Sequence, residues 1–308
     1  MIPRGFIGRW RFTGWFRAMS ASPGTESVAG MRLASRIMNV ALGIGAGLVL
    51  LVVLIRVFEN RLIFFPPRYP EGFASPDAFG VNPEEVWLTA SDGVRLSAWF
   101  LAAPGSEKAL LWFHGNAENI GMGLDHLRSL SQLGVNVLEV DYRGYGKSEG
   151  TPNEAGVYRD SEAAYRYLTE SCGFQAKNIF VYGHSLGGAV AVDLASRHPA
   201  GGLIVESSFT SVPDMARHIY HLPMAGFLAH SRFDSLSKIA RVRAPVLIIH
   251  GTGDHVVPLS MGRRLFEAAN EPKRFFPVQG AGHDDPYAVG GDAYFHTLSS
   301  FIQNRSFE

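Results

Sequence analysis

A single cysteine, Cys172, stands in a chain of 308 residues. An internal disulfide and a cysteine-based metal site are therefore excluded, and Cys172 reads as a packing or surface residue. Net charge is also lacking: 28 Lys and Arg balance 28 Asp and Glu, and charged residues make up only 18% of the chain. No basic excess is present to bind nucleic acid, and no acidic tail to solvate a partner. There is no internal repeat and no low-complexity tract.

Acids are scarcest at the beginning. Residues 1–36 hold six arginines (Arg4, Arg9, Arg11, Arg17, Arg32 and Arg36) and one acid, Glu26. This composition suits a targeting or interfacial segment, or an over-extended start, since Met19 or Met31 could each begin the protein. Residues 37–55 carry no charge at all. At about 1.5 Å per residue such a helix nearly spans a hydrocarbon core. A cleaved signal peptide is the rival reading. The run is long, ends directly at Arg56-Val57-Phe58-Glu59 and lacks a small-x-small cleavage site, which favours a retained transmembrane anchor. Six arginines precede it and three follow closely, giving a lean toward a cytoplasmic N-terminus with the folded domain on the non-cytoplasmic side. Gly43 and Gly47 form a G-x-x-x-G, a pattern that can pair helices but is common in such spans. Residues 56–85 read as a linker stiffened by proline, and 86–308 as one α/β domain with a large core.

Within that domain, 86–89 and 94–101 read as a β-hairpin around Ser91-Asp92-Gly93. Strands then alternate with helices. Strands are expected at 109–113, 135–141, 179–182, 203–206, 246–249 and 274–278. Helices are expected at 124–133, 155–169, 186–197, 259–269 and 293–303. Such alternation implies a mainly parallel sheet covered on both faces.

One stretch organises the rest. An apolar strand ends in Gly183-His184-Ser185-Leu186-Gly187 and an alanine-rich helix begins at once. Small residues two before and two after the serine permit a sharp strand-to-helix turn that projects Ser185 Oγ at the carboxyl edge of the sheet. It also leaves the N–H of Leu186 at a helix N-terminus, where a negative oxygen can be held. The pattern occurs twice. The second copy, Gly146-Lys147-Ser148-Glu149-Gly150, follows a loop and leads into Thr151-Pro152-Asn153 rather than a helix, so context rejects it. The same loop imitates a phosphate-binding Gly-Lys-Ser, but Asp141 stands where the required glycine should.

Ligands in such sheets bind at the carboxyl ends of the strands. Reading those ends in order gives His114-Gly115-Asn116, Ser185, Gly253-Asp254 and Gly282-His283. Ser185 needs a base to take its proton before it can attack a carbonyl. His283 is the candidate base, and Asp254 the carboxylate that would orient it. Asp284, Asp285 and Asp234 are rival acids, ranked lower. Taken singly, Asp254 fits a turn and His283 a surface loop. His218, His221 and His230 lack a convincing ligand pattern, so no metal is expected.

Taken together, His114-Gly-Asn116, Asp141-Tyr-Arg-Gly-Tyr-Gly-Lys-Ser148, Gly183-His-Ser185-Leu-Gly187, Gly251-Thr-Gly-Asp254-His-Val-Val-Pro258 and Gly282-His283 resemble the α/β-hydrolase superfamily. The likeness is greatest to its single-span, membrane-anchored serine hydrolases of monoacylglycerol-lipase and depalmitoylase type. The resemblance implies an α/β-hydrolase fold with an eight-stranded, mostly parallel sheet and a triad of Ser185, Asp254 and His283. It also implies an oxyanion hole from the backbone N–H groups of Asn116 and Leu186, with the Asn116 side chain unimportant. His114 and Asp141 then become structural. No cofactor is implied.

Residues 208–239 interrupt the sheet where this family inserts a lid. The segment is short, apolar and aromatic, and it could cover an acyl chain near a membrane or pack as an ordinary helix pair. The expected function is hydrolysis of a small-molecule acyl ester or thioester at a membrane. Peptide-bond cleavage is the enzymatic alternative, with Glu118 the one acid placed to receive an amine. An inactive anchored scaffold is the alternative from another class.

Overall fold

The computed structural model describes residues 25–71, 73–221 and 224–304, so most of the arginine-rich segment lies outside the described residues. Two compact units, Met1–Val53 and Leu54–Glu308, divide the chain. Helix α1 (Thr25–Ile63) begins in the first and ends in the second, running past the 37–55 expectation at both ends. Gly30–Ile63 has a mean hydropathy of 2.6 and is long and apolar enough to cross a membrane. No proline interrupts it. Pro66 and Pro67 stop it, because the residue before a proline is pushed out of helical geometry.

In the second unit, strands β1 (Glu84–Thr89) and β2 (Arg95–Leu101) form the expected hairpin. Then come β3 (Ala109–Phe113), α2 (Leu124–Ser131), β4 (Asn136–Val140), α3 (Glu154–Arg166), β5 (Ile179–His184), α4 (Leu186–Arg197) and β6 (Gly202–Glu206). Three short helices follow, α5 (Val212–Tyr220), α6 (Ala225–Leu228) and α7 (Ser235–Ile239). The chain closes with β7 (Val246–Gly251), α8 (Leu259–Ala268), β8 (Lys273–Val278) and α9 (Pro286–Asn304). The eight strands lie in the order β1-β2-β4-β3-β5-β6-β7-β8. Among the described residues, only the pairings β1–β2 and β2–β4 are antiparallel.

Alternation along each strand builds two cores. Leu110, Trp112, Phe180 and Tyr182 face α2 and α9, whereas Leu111, Phe113 and Val181 face α3, α4 and α8. Both faces are thus apolar, which is why these strands read as continuous hydrophobic runs. Each fully buried side chain of this size contributes about 1.5–3 kcal/mol. Helix α9 starts seven residues before the expected 293. Gly291, at φ 48°, breaks it into two segments, and the first was hidden by the Gly290-Gly291 pair.

Residues 64–71, part of the stretch 56–85 read as a linker, are folded within the second unit. Phe64 is buried, with its ring 6.0 Å from Phe233. Arg68 donates to the carbonyls of Ser148 and Gly150 at 3.0 Å each.

Candidate active site

The turn between β5 and α4 is as tight as the glycine spacing requires. Ser185 sits at φ 52°, a left-handed conformation uncommon outside glycine. A Cβ on Gly183 would come within 2.1 Å of the Gly187 carbonyl oxygen, and one on Gly187 within 2.0 Å of the Phe113 carbonyl oxygen. The second contact seats the turn against the end of β3. There Phe113 is in parallel register with Gly183, so the Asn116 loop and the Ser185 turn leave neighbouring strands. Leu186 is the first residue of α4, one of the positions whose N–H has no intrahelical acceptor.

The loops after β7 and β8 complete the arrangement. His283 Nε2 lies 3.0 Å from Ser185 Oγ, and His283 Nδ1 lies 2.8 Å from Asp254 Oδ2. The other oxygen, Asp254 Oδ1, accepts the N–H groups of Val256 and Val257 at 2.9 and 2.8 Å. Burial opposes ionisation of Asp254. Hydrogen bonds from His250 and His283, the His283 charge and the Val257 amide outweigh it, holding the carboxyl well below the usual carboxylate range. Two of the three rival acids are engaged elsewhere. Asp285 accepts the Gly282 N–H at 2.6 Å, and Asp234 caps α7 through the Ser237 N–H at 3.1 Å.

The second G-x-S-x-G copy has a different role. Ser148 Oγ accepts from the Ser97 N–H and donates to the Asp141 carbonyl, both at 2.8 Å, and Ser148 is fully buried. Lys147 pairs with Glu85 at 2.8 Å. His114 and Asp141 are buried 3.4 Å apart, and Asp141 also accepts the Ile120 N–H at 3.0 Å.

Two features were missed in the sequence. His184 donates from Nε2 to the His283 carbonyl oxygen at 3.0 Å, and its Nδ1 lies 3.4 Å from Glu118. Glu118 also accepts the Gly115 N–H at 3.0 Å, so one ion pair braces the Asn116 loop against the His283 loop. Burial pushes the His184 imidazole down, but Glu118 more than reverses this and lifts it to about 10. Burial likewise raises Glu118, and His184 draws it down to about 2. The second feature is the Asn116 side chain. Its Oδ1 accepts from the Phe65 N–H at 3.1 Å and the Tyr145 hydroxyl at 2.7 Å, while Nδ2 donates to the Ile63 carbonyl at 2.7 Å. A His before the elbow serine and an Asn after His-Gly were the available signals, but neither names its partner.

Among the described residues, His184, His283 and Asp284 bring potential metal-ligating atoms within 4.8 Å of one another. Both ring nitrogens of each histidine are already engaged by the contacts just given, which disfavours a metal there. Between β6 and β7, α5 leaves Ile219 and Tyr220 58% and 61% exposed, with Met224 beyond it 69% exposed.

An eight-stranded, mostly parallel sheet with a serine elbow after its fifth strand defines the α/β-hydrolase fold. By sequence the chain belongs to the α/β-hydrolase family: it is 35% identical over 226 residues to alpha/beta hydrolase domain-containing protein 17B of Homo sapiens, covering 71% of this chain and 75% of that one. Protein bem46 of Schizosaccharomyces pombe is 34% identical over 262 residues, covering 79% and 85%. The family model described as serine aminopeptidase, S33, matches residues 105–236. Among solved structures, the esterase Pf2001 of Pyrococcus furiosus superposes with a TM-score of 0.67 at 21% identity, over 78% of this chain and 96% of that one. That likeness bears on the fold alone.

Proposed function

We propose that the protein is a membrane-anchored serine hydrolase that cleaves carboxylic ester or thioester bonds of acyl substrates through an acyl-enzyme on Ser185. The observation that carries this reading is the continuous relay from Ser185 Oγ through His283 to Asp254. As Oγ attacks the acyl carbonyl, its proton passes to His283 Nε2 and the carbonyl electron pair moves onto oxygen. The N–H groups of Asn116 and Leu186 receive that oxyanion. Collapse expels the alkoxide or thiolate, which takes the proton from His283. Water then repeats the sequence and frees the acid. Asp254 keeps Nδ1 protonated throughout and stabilises the imidazolium. No step needs a metal or cofactor.

The apolar helix α1 supports anchoring, and the arginine distribution supports a catalytic domain on the non-cytoplasmic side. The exposed apolar side chains of α5 suit an acyl chain arriving from a lipid surface. An aminopeptidase reading would need a carboxylate free for the substrate ammonium group. Glu118 is already compensated by His184 and the Gly115 N–H, which favours the ester reading. Hydrolysis of p-nitrophenyl esters of graded chain length tests it. We expect turnover that depends on acyl length; cleavage of aminoacyl amides with no ester turnover would overturn it.

A further inference from the structure

Helix ends leave carbonyl groups without intrahelical partners, and these are usually met by water or a glycine cap. At the end of α1 the Ile63 carbonyl is instead met by the Asn116 side chain, from the loop after β3. The Phe65 N–H returns a hydrogen bond to the same side chain. Two residues further on, the Gly146 N–H donates to the Pro67 carbonyl, and Tyr69 donates to the Gly146 carbonyl, at 2.9 and 3.0 Å. One turn earlier lies Glu59, which the sequence presents as the charged boundary of an apolar span. It is 7% exposed, and its Oε1 accepts the N–H groups of His230 and Ser231, at 2.6 and 2.8 Å. A carboxylate is placed in a buried position only where donors are waiting for it.

We infer that residues 59–69 form a positioning strap for the active site. The strap fixes the Asn116 loop, and with it one oxyanion donor, at one end. Through Glu59 it fixes the C-terminal end of the lid segment. The inference rests on the ester-hydrolase reading of Ser185. It adds that the last turn of α1 and the residues just after it are part of the working site, rather than a tether. Asn116 contributes twice: its backbone N–H faces the substrate oxygen, and its side chain sets where that N–H points. A lost oxyanion donor reduces kcat about 10²–10³-fold, so a donor left in place but loosened should give a smaller loss.

The test uses the full-length protein in detergent micelles, with p-nitrophenyl butyrate and laurate as substrates and fluorophosphonate labelling alongside. Asn116→Ala keeps the backbone donor and removes only the clamp. It should lower kcat for butyrate at least about tenfold with KM within about threefold. Tyr145→Phe removes one of the two hydrogen bonds to Asn116 Oδ1 without changing core shape, and should lower kcat less, again with KM held. Glu59→Ala should raise KM for laurate relative to butyrate, whereas Glu59→Gln, which retains an acceptor oxygen, should restore the wild-type ratio. Wild-type kcat in both Asn116→Ala and Tyr145→Phe, or a Glu59→Gln indistinguishable from Glu59→Ala, would overturn the strap. Failure of the wild-type protein to label or to hydrolyse either ester would instead overturn the ester-hydrolase reading itself.

Discussion

Replacing Asp254 by Asn separates what this carboxylate does for the loop from what it does for His283. Oδ1 accepts two backbone N–H groups and Oδ2 faces His283 Nδ1 at 2.8 Å. The amide oxygen of Asn can keep both backbone bonds, so the loop should hold. Its NH₂ group then faces Nδ1–H, donor against donor. His283 is driven toward the tautomer whose Nε2 carries a proton and cannot accept one from Ser185. The lost charge adds to this. With the Asp254 side chain out of solvent, an imidazolium and a carboxylate about 4 Å apart attract by about 4 kcal/mol at an effective dielectric of 20. That is about three decades of rate, and the wrong tautomer brings the expected loss in kcat/KM to about 10³–10⁴-fold. The assay is ester hydrolysis by the purified variant, with thermal unfolding to establish that it is folded. More than a tenth of wild-type kcat/KM in folded Asp254→Asn would refute the assignment. So would a comparable loss in Asp285→Asn or Asp234→Asn.

Ser148→Ala should leave fluorophosphonate labelling intact while destabilising the fold by about 1–3 kcal/mol, because the buried Ser97 N–H and Asp141 carbonyl lose their partner. Calorimetry should register this as a lower thermal midpoint, and a stable but unlabelled variant would contradict it. Glu118→Gln removes the partner that raises His184 to about 10. A raised folded pKa stabilises most below the unfolded value near 6.5, and that stability is lost as pH climbs toward 10. The stability gap between wild type and Glu118→Gln, measured by urea denaturation, should therefore be widest near pH 6 and close by pH 10. A gap that widens with pH would reverse the reasoning. Asn116→Ala and Glu59→Ala test the strap through kcat and chain-length preference, as set out above.

The parts of the site readable in the sequence were those that local chain geometry dictates. Gly183, Ser185 and Gly187 announce their turn because no larger residue fits beside the Phe113 and Gly187 carbonyls. Asp254 and His283 follow strands whose apolar runs mark where each ends, so their loops could be placed on one edge of the sheet. The two Ser-centred motifs were separable because only one precedes a helix. What stayed hidden depends on residues distant in the chain. Glu59 and His230 lie 171 positions apart, and Asn116 and Ile63 lie 53 apart. No local pattern links either pair. Glu59 next to an apolar span reads as its solvated end, and only the folded chain shows the His230 and Ser231 amides that account for its burial. Asn116 was read for its backbone alone, whereas its side chain makes three hydrogen bonds. The segment 208–239 could be located by its interruption of the strand pattern, but the exposure of Ile219 and Tyr220 needed the neighbouring surface.

Every catalytic step above runs through Ser185 as the nucleophile. The most direct measurement is mass-spectrometric mapping of the full-length protein after reaction with a fluorophosphonate. We expect one equivalent of phosphonate on the peptide carrying Ser185, and none in Ser185→Ala. Modification at Ser148, or a folded wild-type protein that takes up no label, would contradict it.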